Sequence, residues 1–192
     1  MYRLGAEYDR LDQMVIDIFV DYGITEFPID VNDVCRRLGV SLVPCSEYTG
    51  EDFAVLRKKS IHGFFAKETL RNPPTIFYND NLSDVQSQGA IRQTVLHEAK
   101  HYVDEDYDED ADDDDLAEHF GRYFSAPTPF LIVKGITHPN EIISWFGVTS
   151  TIANNIALNI QNRMKKHGVK IFDYEKPMIK LLDSAYYDLW LR

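Results

Sequence analysis

The chain has 192 residues, 44% hydrophobic and 12% aromatic, which is enough for a packed core and excludes a disordered polymer. Its formal net charge of −11 is local: ten of the twelve residues from Asp104 to Asp115 are acidic, and without them 21 acidic residues face 20 basic ones. No basic stripe advertises direct nucleic-acid binding, no apolar run reaches the roughly 18 residues of a membrane span, and two cysteines, Cys35 and Cys45, imply no disulfide framework.

The opening MYRLGAEYDRLDQ is too polar for a signal peptide. A soluble cytoplasmic protein is expected, of the kind prokaryotes and their mobile DNA carry. Residues 6–22 set Leu11, Val15, Ile18, Phe19 and Tyr22 on one helical face, with Gly23 as the stop. A second helix follows Pro28, with Asp30 as its N-cap and Gly39 as its C-cap. GVSLVPCS reads as a short strand, as do residues 61–66 and 75–79. From Ser83 a long helix carries Ile91, Val95, Leu96 and Ala99 on its apolar side, and LAEHFGRYFSAP forms another that ends near Pro127. Residues 139–166 read as two helices with a turn at Gly147, and the amphipathic tail resists placement.

The chemistry sits in His97-Glu98-Ala99-Lys100-His101, which fits H-E-x-x-H. A helix turns every ~3.6 residues, so His97 and His101 share a face and can offer imidazoles to one tetrahedral ion. Glu98 stands beside them as the general base for a water activated by Zn2+. A catalytic zinc takes three protein ligands. Asp114, Glu118 and His119 are the candidates for the third. Asp114 and Glu118 are four apart, so one can bind metal while the other accepts the N–H of a ligand histidine. His119 points away from both on a helix.

The stretch IRQTVLHEAKHYV followed by DDLAEHFGRYFSAP resembles the ImmA/IrrE family of zinc metallopeptidases. Members carry R-x-x-hydrophobic-x-H-E-h-G-H and then E-x-x-A-[DN]-x-F-A-x-x-h-L-x-P. The second pattern falls on Asp114, Ala117, Glu118, Phe120, Gly121 and Pro127. The resemblance covers roughly residues 75–160, including Phe146-Gly147-Val148-Thr149, and the paired motifs are more specific than H-E-x-x-H alone. Two departures stand out. Lys100 replaces a small residue before the second histidine. The family's metal-binding glutamate aligns with Asp114, one methylene shorter, and its Asp/Asn with Glu118, so the third ligand is Asp114 with Glu118 as the alternative.

The resemblance implies an α+β zincin-like metallopeptidase domain over residues 1–135. A small antiparallel sheet packs on the active-site helix, and a helical C-terminal extension covers 136–192. It also implies site-specific cleavage of a helix-turn-helix transcriptional repressor in a stress or mobile-element switch. The rival expectation is a catalytically weak or inactive relative that binds a repressor or toxin partner. Glu98 favours the enzyme, because a degenerate relative has little reason to keep it.

Other features are weighed beside these. The acidic run lacks the glycine of an EF-hand loop; joining the two metal helices, it can favour basic peptides over acidic ones. TIFYND reads as an edge strand for an extended substrate or as an ordinary core strand. Tyr78, His62 and Tyr123 are candidates for stabilising an oxyanion. Residues 141–163 have a helix-turn-helix cadence, read as structural. The cysteines read as small buried residues.

Overall fold

The computed structural model describes residues 2–47, 54, 58, 60–81, 85–104 and 111–191. In chain order its elements are α1 (Tyr2–Tyr22), α2 (Val31–Leu38), β1 (Ser41–Pro44), β2 (Gly63–Ala66), β3 (Thr75–Tyr78), α3 (Val85–Val103), α4 (Ala111–Ser125), α5 (Thr128–Lys134), α6 (Pro139–Phe146), α7 (Ser150–His167), α8 (Lys176–Leu182) and α9 (Ser184–Trp190). The architecture is mixed α+β, mostly helical with one small sheet. Among the described residues no helix is long and apolar enough to cross a membrane. The chain divides into two compact units, Met1–Pro28 with Arg122–Arg192, and Ile29–Gly121.

In the unit Ile29–Gly121, the Asp30 carboxylate accepts from the amides of Asn32 and Asp33 and starts α2. Gly39 ends it in the left-handed region, φ 79°. Three four-residue strands follow in the order β1-β3-β2. β2 and β3 form an antiparallel hairpin that pairs Phe64 with Phe77. β1 runs parallel to β3, with Ser41 opposite Thr75 and Pro44 opposite Tyr78. The sheet is therefore mixed, which corrects the expectation of an antiparallel one. A parallel pair needs a crossover of a dozen or more residues, and the chain from 45 to 74 supplies it. Of the two readings of TIFYND, the structure has the ordinary core strand: β3 lies in the middle, and β1 and β2 are the edges.

Helix α3 packs on β2 and β3. Its Val95 and Ala99 close a core with Cys35, Val40 and Ile76. The fit is tight at Gly63, where a Cβ would stand 2.6 Å from the Phe77 carbonyl oxygen and 2.7 Å from Thr94 Cγ2. Glycine at 63 thus lets the edge strand lie close against α3.

In the other unit, α1 buries Leu11, Val15, Ile16 and Phe19. Phe19 meets Phe124 at 5.0 Å between ring centres, and Phe27 meets Phe146 edge-on at 4.8 Å. The α6–α7 pair forms as expected, with Gly147 left-handed and Thr149 accepting from the Ile152 amide. Ile142, Phe146, Ala153, Ile156 and Ile160 face into the core. The tail resolves into α8 and α9. It is held by Arg163, which grips the fully buried Glu175 with both terminal nitrogens, one at 2.6 Å, and also donates to the Lys170 carbonyl at 3.0 Å.

Two outcomes follow. Gly63→Ala forces β2 off α3 and should destabilise the protein by about 1–3 kcal/mol, measured as a lower midpoint of urea unfolding. Arg163→Ala strands a buried carboxylate and should cost about 3–5 kcal/mol; an unchanged midpoint would mean that the pair does not hold the tail.

Candidate metal and peptidase site

Helix α3 divides its faces among three tasks. Val95, Leu96 and Ala99 go to the apolar interior. Glu98 is buried, and its Oε2 accepts from the Phe65 amide of β2 at 2.8 Å. His97 and His101, one turn apart, have ring centres 5.3 Å apart in an edge-on arrangement.

Helix α4 brings two carboxylates to His97, one for each ring nitrogen. Asp114 Oδ1 is 3.2 Å from Nε2, and Glu118 Oε1 is 3.7 Å from Nδ1. Leu116, Ala117 and Phe120 are buried, which fixes the roll of α4 and leaves Asp114 and Glu118 on the His97 side. Asp114 is the more exposed ligand candidate, its side chain 79% exposed against 45% for Glu118. His119 is half-buried.

Charge follows this geometry. Burial disfavours a charged His97, but the carboxylates of Glu118, Glu98 and Asp114 outweigh it and raise its pKa above 6.5. His101 moves the other way, down to about 4, because it is buried, next to His97 and next to Lys100, with Asp104 opposing. Burial pushes the Glu98 carboxyl up, against the pull of His97 and the Phe65 amide, and Asp114 adds to the rise.

The donor chemistry fits zinc. Two imidazoles and a carboxylate are a common catalytic set, with ligand atoms of one tetrahedral ion about 3.3 Å apart and two bound imidazole ring centres roughly 5 Å apart. The His97–Asp114 and His97–His101 separations agree with those values pair by pair. Among the described residues, however, no group of three His, Cys, Asp or Glu side chains converges closely enough to hold an ion as it stands.

Lys100 has its own explanation. Its side chain is 1% exposed, and Nζ lies 3.3 Å from Oδ2 of Asp104, itself 3% exposed. The first acid of the acidic run is thus an interior counter-ion, not part of a solvated loop. Residues 105–110 of that run lie outside the described residues. A pocket of about 230 Å3 opens where Phe65, Lys67 and Glu68 meet Pro74 and the end of α3 at His101, Tyr102 and Asp104.

The oxyanion candidates scatter. His62 is exposed ahead of β2. Tyr78 ends β3, its pKa raised by burial and then by Asp80 and Glu47. Tyr123 is buried in the other unit, where burial and then Asp12 and Glu175 raise its pKa. Sequence reasoning passed over Gln93, whose Nε2 reaches the Glu118 carbonyl at 3.3 Å and Oε2 at 3.4 Å. It also passed over the contact role of Gly121, where a Cβ would stand 2.7 Å from Gln93 Nε2 and 3.3 Å from the His97 amide nitrogen. Gln93 lies four residues before His97, so the same helical arithmetic that paired the histidines could have found it.

Comparison with protein-family models, curated proteins and solved structures finds no match for this chain.

The two imidazoles should titrate apart in metal-free protein. By NMR, His97 is expected above 6.5 and His101 near 4. The stability signs are opposite. The contribution of His101 is complete above its unfolded pKa and is lost as pH falls toward 4; that of His97 is complete below its unfolded pKa and is lost as pH rises through its folded one.

Proposed function

We propose that the chain is a zinc-dependent endopeptidase of the ImmA/IrrE kind, with Ile29–Gly121 as a zincin-like unit. The reading draws its substrate from that resemblance: a helix-turn-helix repressor, cut at one site. The observation that carries it is the pair of α4 carboxylates on the two nitrogens of His97, next to the buried Glu98. His97, His101 and Asp114 would hold the metal. Glu118 would accept the Nδ1–H of His97 and keep Nε2 free to bind.

Zinc held there would polarise a peptide carbonyl and acidify water. The residues of the chain do the rest. β2 is an edge strand, so an extended peptide can add to it through main-chain hydrogen bonds. Its outward amides are already engaged, that of Gly63 by Ser60 Oγ at 3.3 Å and that of Phe65 by Glu98. A peptide that takes over the Phe65 amide releases the Glu98 carboxylate, which can then accept a proton from water and deliver it to the leaving amine. The pocket beside His101 can receive a neighbouring side chain of the bound peptide.

A second reading, a binding protein on a peptidase frame, draws on the incomplete convergence of donors and on the engaged state of Glu98. Metal content and cleavage separate the two. Purified protein should carry about one zinc per chain by elemental mass spectrometry. His101→Ala and Asp114→Ala should lose it, and Glu98→Gln should keep it while cleaving a co-expressed repressor about 10²–10⁴-fold more slowly. Zinc lost in His101→Ala but kept in Asp114→Ala would move the third ligand to Glu118. Protein that takes up no zinc when it is supplied, and leaves its partner intact in a stable complex, would favour the binding reading.

A further inference from the structure

The pocket at the end of α3 has a place in the strand pattern of β2. Successive strand residues point to opposite faces, so Phe65 and Lys67, two apart, share one. That face is the α3 side, because Phe65 packs against the core that α3 closes and meets Tyr102 at 5.8 Å between ring centres. A peptide strand added along β2 keeps the same alternation, and residues directly opposite across a strand pair lie on one face. Every second side chain of such a peptide therefore turns toward α3. There Phe65, Lys67, Glu68 and Pro74 form a pocket of about 230 Å3 with the end of α3. Neighbouring strands lie about 4.8 Å apart, so a long side chain is needed to cross from the peptide to walls such as Tyr102 and Pro74. Charge decides the rest. Lys67 and Glu68 are both exposed and oppose each other at the rim. Asp104 is 3% exposed and paired with Lys100 at 3.3 Å, so its charge is balanced as well. A charged side chain would give up water there for no net opposite charge. An apolar one would cover the rings of Phe65, Pro74 and Tyr102 at no such cost.

We infer that this pocket is the specificity subsite of the edge strand, and that it takes one aromatic or long aliphatic side chain, from the peptide residue opposite Lys67. Phe65, Pro74 and Tyr102 supply the contact, and the opposed charges of Lys67 and Glu68 keep the entrance neutral. The inference rests on the strand addition to β2 in the reading above, and not on metal or hydrolysis.

The test uses the full chain without metal and a random linear peptide library displayed on phage. Peptides selected on wild type are expected to align as extended segments with an aromatic or long aliphatic side chain at one fixed position. Replacing that side chain by alanine in a synthetic peptide should weaken binding about 10–100-fold. Lys67→Glu and Glu68→Lys change exposed residues and should leave the fold intact, which thermal melting checks. Lys67→Glu should turn selection at the fixed position toward Lys and Arg, and Glu68→Lys toward Asp and Glu, each by about 3–10-fold. The inference is overturned if no peptide is enriched, or if wild type selects a charged or small side chain there. It is also overturned if both variants keep the apolar preference unchanged, which would move the peptides to another exposed apolar surface, such as that of Trp145 or Trp190. The expected selection, in a protein that takes up no zinc and leaves its repressor whole, upholds the inference while the peptidase reading fails. A cleaved repressor, with selection indifferent to both charge changes, does the reverse.

Discussion

One helix with three neighbours constrains the unit Ile29–Gly121. Every side chain of α3 between Gln93 and Lys100 that turns inward is already committed. Val95, Leu96 and Ala99 join the apolar interior, Glu98 reaches the edge strand, and Gln93 and His97 meet α4. With about 3.6 residues per turn, no slip of α3 can improve one contact without breaking another. The two glycines at its boundaries tighten this further, Gly63 on the strand side and Gly121 on the α4 side. Close approach on both sides lets carboxyl, imidazole and amide groups meet within hydrogen-bond range.

Lys100 belongs to the same accounting. A buried lysine is tolerated only with a partner, and Asp104, one turn on, provides one at 3.3 Å. Lys100 also explains part of the His101 shift, since its charge disfavours a second one beside it, while Asp104 opposes. The oddest residue of the H-E-x-x-H stretch thus contributes to the electrostatics of the site.

Local signals carried most of what the sequence disclosed. Asp30 caps α2 through its carboxylate and Gly39 through its left-handed backbone, Gly147 makes the turn before α7, and the spacing of His97 and His101 translates directly into a shared face. Strand pairing is different, because four-residue strands such as SLVP, GFFA and TIFY have no pattern that says which lies between the others. The parallel pairing of β1 with β3 depends on how the chain crosses over, which no window of sequence records. Gln93 and Gly121 were hidden for a related reason: each is ordinary on its own helix and meaningful only where the two helices touch. In the sequence nothing separates Asp104 from the other acids of its run, because burial is decided by the partner, here Lys100.

The grip of Glu98 on the Phe65 amide has a consequence apart from hydrolysis. A short sheet with an open border is a template on which another chain can add a strand, and proteins manage that hazard by occupying or charging the border. Along β2 the outward amides at Gly63 and Phe65 both meet side-chain oxygens, and one of those carries a negative charge when ionised. The Glu98 carboxylate thus occupies a main-chain donor that an added strand would otherwise use.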